Sequence, residues 1–267
     1  MKVNRKQFFE RLGWAVGGAV VGAGAARASL LDRVPFLGRP KFRETAPPPS
    51  PSDRVETYSQ AGEDVDLDFT FRAFFGGTPM SYLDVGAHHP TKINNTYFFY
   101  LRGARGVLVE PNGAYCEALR EHRPGDVTLE AGIGFGPTTK ADYHYLTESS
   151  LNTFSREQAE RIVAESNGRF KIEAIRQVPL LNINEVIAEH FKGGVPAFIS
   201  IDVEGLDLEI LKTFDFNKYR PKAFCVETLI TNSRKQRPEI AEFMASQKYV
   251  ARGGSFVNTI FYDETIL

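Results

Sequence analysis

The chain has 267 residues, enough for one or two domains. Its 42% hydrophobic and 12% aromatic content excludes a wholly disordered chain, and its two cysteines, Cys116 and Cys225, exclude a disulfide scaffold or a four-cysteine zinc site. The net charge of −1 is uneven: residues 1–55 carry ten Lys/Arg against four Asp/Glu, which leaves the rest at −7, a poor balance for gripping a phosphate backbone, so no nucleic-acid partner is expected.

Lys2, Arg5, Lys6 and Arg11 precede an uncharged 15-residue run, Leu12 to Ala26, that ends near Ala26-Arg27-Ala28. A basic start, a short apolar stretch and a small-x-small end form the pattern of a signal peptide. The run is shorter than the ~20 residues of a membrane span. Arg5-Lys6-Gln7-Phe8-Phe9 resembles a twin-arginine export signal with Lys in place of the second Arg. Residues 1–28 therefore read as a signal-like or membrane-targeting segment, with a basic amphipathic tail on a cytosolic protein as the alternative. Six of the 15 prolines fall between Pro35 and Pro51, which makes 29–55 a semi-rigid linker. Residues 56–267 then have the length of one α/β domain.

In that domain, Glu63–Phe75 reads as a helix stopped by Gly76-Gly77. Ser81–Val85 is a short apolar strand that runs into Gly86. A helix is expected over Asn94–Leu101, a buried strand over Gly106–Glu110, and a helix from Pro111-Asn112 to about Arg120, with Pro in its first turn. Asp126–Ala131 reads as a third strand and Lys140–Leu146 as an edge strand. Arg156–Glu165 is helical, Ile172–Leu180 extended, and Ile183–Phe191 a helix started by Asn182 or Asn184. Ala197–Val203 is nearly all apolar, as a strand buried on both faces must be. Leu206–Phe214 (helix), Ala223–Thr228 (strand) and Pro238–Ser246 (helix) follow. Tyr249–Arg252 and Asn258–Asp263 are two strands joined through Gly253-Gly254.

Helices alternating with strands predict a parallel sheet with right-handed crossovers. The last two strands have no helix between them and must form an antiparallel hairpin. In such sheets the ligand lies outside the carboxyl ends of the strands. Those ends nominate Asp84, Gly86, Ala87, His88, Glu110, Pro111, Asn112, Gly132, Ile133 and Asp202 as cofactor-binding residues. Gly86 lets a ligand approach the backbone, and Glu110 has the two oxygens needed to take both hydroxyls of a ribose. The loop after Gly86 lacks the second and third glycines that a pyrophosphate needs, which counts against NAD or FAD. Asp84 would suit a ligand with positive charge.

Tyr58-Ser59-Gln60-Ala61-Gly62-Glu63-Asp64, Tyr82-Leu83-Asp84-Val85-Gly86-Ala87-His88-His89-Pro90, Asn95-Thr96-Tyr97-Phe98-Phe99-Tyr100, Val109-Glu110-Pro111-Asn112, Ile201-Asp202-Val203-Glu204-Gly205 and Val226-Glu227 occur in this order. Together they resemble the FkbM-type methyltransferase family over roughly Tyr58 to Asp263. The resemblance implies a Rossmann-like class I fold, a mostly parallel seven-stranded sheet ending in an antiparallel hairpin. It also implies S-adenosylmethionine as cofactor, held by Asp84, Gly86 and Glu110, and O-methylation of a small-molecule or glycan hydroxyl.

An alcohol is a poor nucleophile until its proton leaves, so a base is expected nearby. Asp202, Glu204, Glu227 and His89 are the candidates, with His88 a further histidine in the same loop. The three carboxylates have the oxygen-donor chemistry for Mg2+, although no metal ligand is assigned. Ser149-Ser150-Leu151 is expected as an ordinary polar loop, with the lining of the acceptor pocket as the alternative. The Phe98-Phe99-Tyr100 run is expected as core, and Arg234, Lys235 and Arg237 as a solvated loop, with the binding of an anionic acceptor as the alternative. Both cysteines read as inert core thiols. The rival readings are a nucleotide-dependent oxidoreductase and a non-catalytic binding module that keeps the fold. The expected location is the cytoplasm, with attachment to the inner membrane through residues 1–28; export is the alternative.

Overall fold

The computed structural model describes residues 55–230 and 235–267. The signal-like segment 1–28, the linker as far as residue 54, and Arg234 lie outside the described residues. Among the described residues no helix is long and apolar enough to cross a membrane.

Helix α1 (Glu63–Phe74) opens after Gly62, whose φ of 97° turns the chain, and carries Glu63, Asp64 and Asp66 in its first turn, where the helix dipole favours acids. Strand β1 is Ser81–Val85. Residues 94–96, expected as helix, form a turn instead, because the Asn94 side chain accepts from the Thr96 and Tyr97 amides and donates to the Ala87 carbonyl. Helix α2 is therefore only Tyr97–Leu101. Strand β2 (Arg105–Glu110) leads to α3 (Gly113–His122). Pro111 stands before this helix rather than in its first turn, since Asn112 is the cap and accepts from the Ala114 amide.

Strand β3 (Val127–Glu130) stops short of Ala131, and Gly132–Ile133 form β4 in a second sheet. Strand β5 (Lys140–Leu146), a 3-10 turn at Ser149–Leu151, α4 (Arg156–Glu165, capped by Ser155) and β6 (Ile172–Leu181) complete this insertion. The chain continues through α5 (Ile183–His190, capped by Asn182), β7 (Phe198–Ile201), α6 (Asp207–Thr213) and β8 (Ala223–Glu227). It closes with α7 (Pro238–Ser246), β9 (Tyr249–Gly254) and β10 (Asn258–Asp263).

The main sheet has the order β3-β2-β1-β7-β8-β10-β9, and the small one β4-β6-β5, with β5 at its edge as expected. Strand β1 pairs in parallel with β2 and β7, β2 with β3, and β7 with β8. Strand β10 is antiparallel to both β8 and β9 and lies between them. This is the mostly parallel seven-stranded sheet with a closing antiparallel hairpin that the sequence predicts. Gly253 and Gly254 belong to β9 rather than to the turn. The strand order reverses between β1 and β7, where such a sheet opens a crevice.

Strand alternation divides the core in two. Leu83, Val85, Val109, Ile199, Ile201 and Val226 pack with α5, α6 and α7. Tyr82, Leu108, Phe198 and Cys225 pack with α1, α2 and α3. Cys116 and Cys225 are both buried free thiols, and burial pushes the Cys116 thiol up to about 12 and that of Cys225 well above its ordinary range.

Candidate active site

A cavity of about 250 Å3 lies at the carboxyl ends of β1, β2, β7 and β8 and is walled on one side by β4 and β5. Gly86, the first residue after β1, has φ 86°, a backbone that L side chains rarely adopt. Its amide donates to the Val109 carbonyl at 2.9 Å. A Cβ at this position would lie 1.9 Å from the Asp202 carbonyl oxygen. The ends of β1 and β7 thus meet backbone to backbone, with no room for a side chain between them.

Glu110 ends β2 and lines the cavity, with only 3% of its surface exposed. One carboxylate oxygen accepts from the Asn112 amide at 2.7 Å and the other from the His88 amide at 2.8 Å. Desolvation pushes its pKa up to about 7 despite those two hydrogen bonds. A carboxylate has roughly four acceptor sites, so each oxygen keeps one for a ligand.

Gly86, His88, Glu110, Pro111, Gly132, Ile133 and Asp202 line the cavity, as the strand ends nominate them. Asp84, Ala87 and Asn112 do not. Asp84 shares the sheet face of Tyr82, because alternate residues of β1 point to opposite sides. Its carboxylate accepts from Thr96 Oγ at 2.6 Å, and Arg123, fully buried, donates to Thr96, Tyr82, Asn94 and Asp126. Asp84 therefore braces the loop behind Gly86 rather than touching a ligand. Ala87 is buried in the core on that same side. Asn112 is occupied as the cap of α3.

On the opposite wall, Asp202 follows β7 and Glu227 ends β8. One oxygen from each of Asp202, Glu204 and Glu227 lies within 4.8 Å of the others. Strand alternation is not what gathers them, since β7 stops at Ile201. Glu204 (φ 54°) and Gly205 (φ 109°) are both left-handed and reverse the chain. Asp207 clamps this reversal by accepting from the Val203 and Gly205 amides at 3.1 and 3.2 Å. Burial, then repulsion from Glu204, pushes the Asp202 carboxyl well above the carboxylate range; burial, then repulsion from Asp202, does the same to Glu227. Among the described residues, no hydrogen bond reaches the carboxylate of Asp202 or Glu227.

His88 Nε2 lies 3.3 Å from Ser149 Oγ, which in turn lies 2.6 Å from the Tyr115 hydroxyl. This chain ties the 149–151 turn to the end of β1. Burial holds His88 below its ordinary pKa, so the neutral ring is favoured. Ser149, Ser150 and Leu151 line the cavity, which is the alternative and not the ordinary-loop reading of that segment. His89 does not; its Nδ1 accepts from the Thr91 and Lys92 amides at 3.1 and 3.2 Å, a local structural duty.

Gln60, Ile93, Tyr143 and Phe154 also line the cavity and were not nominated by the strand ends. Gln60 stands in the 58–64 run that carries part of the family resemblance, so a signal for it was present. Tyr143 packs against Phe154 at 4.6 Å in the inserted sheet, a contact no local pattern announces. Ile93 is 58% exposed and left-handed at φ 51°, an outlier for a β-branched residue. His88, Ile93 and Glu204, three non-glycine residues with left-handed backbones, all border this one cavity.

Residues 84–251 match the family model described as Methyltransferase FkbM domain. No curated protein matches the sequence. Among solved structures, the chain is similar to the methyltransferase FkbM from Methylobacillus flagellatus KT, with 12% identity, TM-score 0.41, and coverage of 69% of this chain and 43% of that one. It thus spans less than half the length of that protein. It is also similar to an O-methyltransferase from Bacillus cereus in complex with SAH, with 12% identity, TM-score 0.38, and 79% and 84% coverage. A third is the precorrin-6y C5,15-methyltransferase from Geobacter metallireducens GS-15, with 10% identity, TM-score 0.37, and 78% and 92% coverage. The family model spans more than half of the chain and includes Gly86, Glu110, Asp202, Glu204 and Glu227: this chain belongs to the FkbM methyltransferase domain family.

Proposed function

We propose that the chain is an S-adenosylmethionine-dependent methyltransferase that methylates a hydroxyl on a sugar or related small molecule. The observation that carries this reading is one cavity with two unlike ends: a pinned carboxylate, Glu110, beside Gly86, and three clustered carboxylates, Asp202, Glu204 and Glu227, across from it. The residues fit the cofactor. Glu110 keeps acceptor sites for a ribose diol, and Gly86 lets the ends of β1 and β7 close together on the cavity wall beside it. When bound, the cofactor supplies a methyl carbon on a sulfonium, which is an electrophile.

The rest falls to the protein. Glu110, Pro111, Gly132 and Ile133 orient one end of the cavity, and most of the rate comes from positioning for an in-line transfer. The carboxylate cluster receives the acceptor hydroxyl and takes its proton as the carbon–oxygen bond forms and the carbon–sulfur bond breaks. A non-catalytic binding module would need Glu110 but would have no use for three carboxylates, Glu227 buried and Asp202 and Glu204 half-buried, set against one another.

The test is calorimetric titration of the full chain with S-adenosylmethionine, S-adenosylhomocysteine and NAD+, beside Glu110→Ala. Micromolar binding of the first two, lost in the variant and absent for NAD+, supports the reading. A folded protein that binds neither sulfur compound removes it.

A further inference from the structure

The carboxylates at the β7 and β8 ends pose a problem that the methyl-transfer reading does not solve. Three acids share one spot in the cavity wall, with an oxygen from each inside 4.8 Å. Glu227 is 94% buried by the 6% exposure of its surface, yet among the described residues nothing donates a hydrogen bond to it. Asp202, half-buried, also receives no hydrogen bond on its carboxylate among the described residues. The nearby Arg237 donates to the Gly205 carbonyl, at 3.3 Å, and forms no ion pair with Asp202 or Glu227 among the described residues. Asp207, by contrast, has both oxygens engaged by backbone amides and is not part of the cluster. An acid this buried is ordinarily hydrogen-bonded, paired or bound to a metal.

We propose that Asp202, Glu204 and Glu227 hold a divalent, oxygen-preferring cation such as Mg2+, Mn2+ or Ca2+ at the acceptor end of the cavity. The donor set is all oxygen, which suits hard cations and disfavours zinc or copper. The spread also fits: two oxygens on opposite sides of an ion bound at about 2.4 Å stand about 4.8 Å apart. A smaller ion needs the side chains to draw in by a few tenths of an ångström. The site opens on the cavity, so remaining positions are filled by water or by the acceptor hydroxyl. A hydroxyl bound to the cation becomes more acidic, as metal-bound water does. Its proton then passes more readily to a carboxylate and on to solvent. This last consequence rests on the methyltransferase reading; the binding of the cation does not.

The experiment uses the full chain, stripped with EDTA and titrated with Mn2+ while the electron paramagnetic resonance signal of free Mn2+ is followed. One equivalent should bind, be displaced by Mg2+, and raise the melting temperature through linkage. Glu227→Gln and Asp202→Asn should each weaken binding about tenfold or more and remove the thermal shift. The second variant keeps the test open should the first not fold. Wild-type protein that melts cooperatively and binds S-adenosylmethionine, but takes up no Mn2+ at millimolar concentration, overturns the cation site and leaves the methyltransferase reading in place. Mn2+ uptake unaffected by both variants also overturns it, since the ion then sits elsewhere. Mn2+ uptake that the variants abolish, without any binding of S-adenosylmethionine, supports the cation site and removes the methyltransferase reading.

Discussion

The two ends of the cavity treat their carboxylates in opposite ways. At the β2 end, Glu110 is held by two backbone amides in a fixed orientation. Behind the adjoining loop, Asp84, Thr96, Arg123 and Asp126 form a buried, mutually bonded network. At the β7 and β8 ends, Glu227 is buried and Asp202 half-buried, and both lack such donors among the described residues. The first arrangement suits a group that must present one geometry to a ligand every time. The second suits groups whose charge is balanced only when something else arrives. On the proposed function, the pinned end is the recognition site and the carboxylate cluster the reactive one.

Breaking the reactive end should have the largest effect. Glu227→Gln should lower methyl transfer by about 100-fold or more, the scale of a lost proton acceptor. It should leave S-adenosylmethionine affinity nearly unchanged and, in the absence of divalent cations, raise the melting temperature by removing a repelled buried charge. Transfer assays beside calorimetry and thermal melts check all three, and a large loss of cofactor affinity would erase the division between the two ends.

Gly86→Ala attacks the seam between them. The added Cβ meets the Asp202 carbonyl at 1.9 Å on a backbone with φ 86°, so denaturant melts should show a loss of about 3 kcal/mol and calorimetry no cofactor binding. At the pinned end, Glu110→Gln should weaken cofactor binding about 10- to 100-fold, the value of hydrogen bonds to a charged acceptor. The same residue sets a pH dependence. Ribose hydroxyls donate to the ionised carboxylate, whose pKa stands at about 7 in the free protein. Affinity should therefore rise with pH up to about 7 and level off above it, and the variant should lose that dependence. In the unliganded protein the sign for stability is opposite. The folded state keeps a proton that the unfolded chain releases near 4.5, so Glu110 lowers stability as pH rises from about 4.5 to about 7.

The smallest effect belongs to His89. Because its ring serves the Thr91 and Lys92 amides, His89→Ala should cost about 1 kcal/mol of stability and leave turnover within about threefold of wild type.

The strand ends were legible in the sequence because apolar runs that stop at Gly86, Glu110, Asp202 and Glu227 mark both where strands finish and what they present. The parallel core and the closing hairpin followed from the spacing of those runs. The direction of Asp84 was less accessible. Alternation along β1 sets it on the Tyr82 side, but only the buried Arg123, 39 positions on, explains what it does there. The early end of β3 also escaped local reading, since Ala131 to Ile133 continue the apolar pattern while changing sheets. The 149–151 turn lacks any periodic signal, and its place on the cavity wall depends on His88 and Tyr115, which are distant in the chain. The meeting of Glu204 with Glu227 needed two left-handed residues in a row, a backbone event that residue types only hint at.

The burial of the two thiols has a practical side. Cys116 and Cys225 are the chain's only cysteines, and both sit in the core with their thiolate forms suppressed. The native protein should thus stay silent toward maleimide dyes while folded. Ser150 is exposed and stands at the cavity wall, and Ser150→Cys is nearly isosteric. One labelled position there would report, by fluorescence, when the cavity fills and empties, without removal of either natural cysteine.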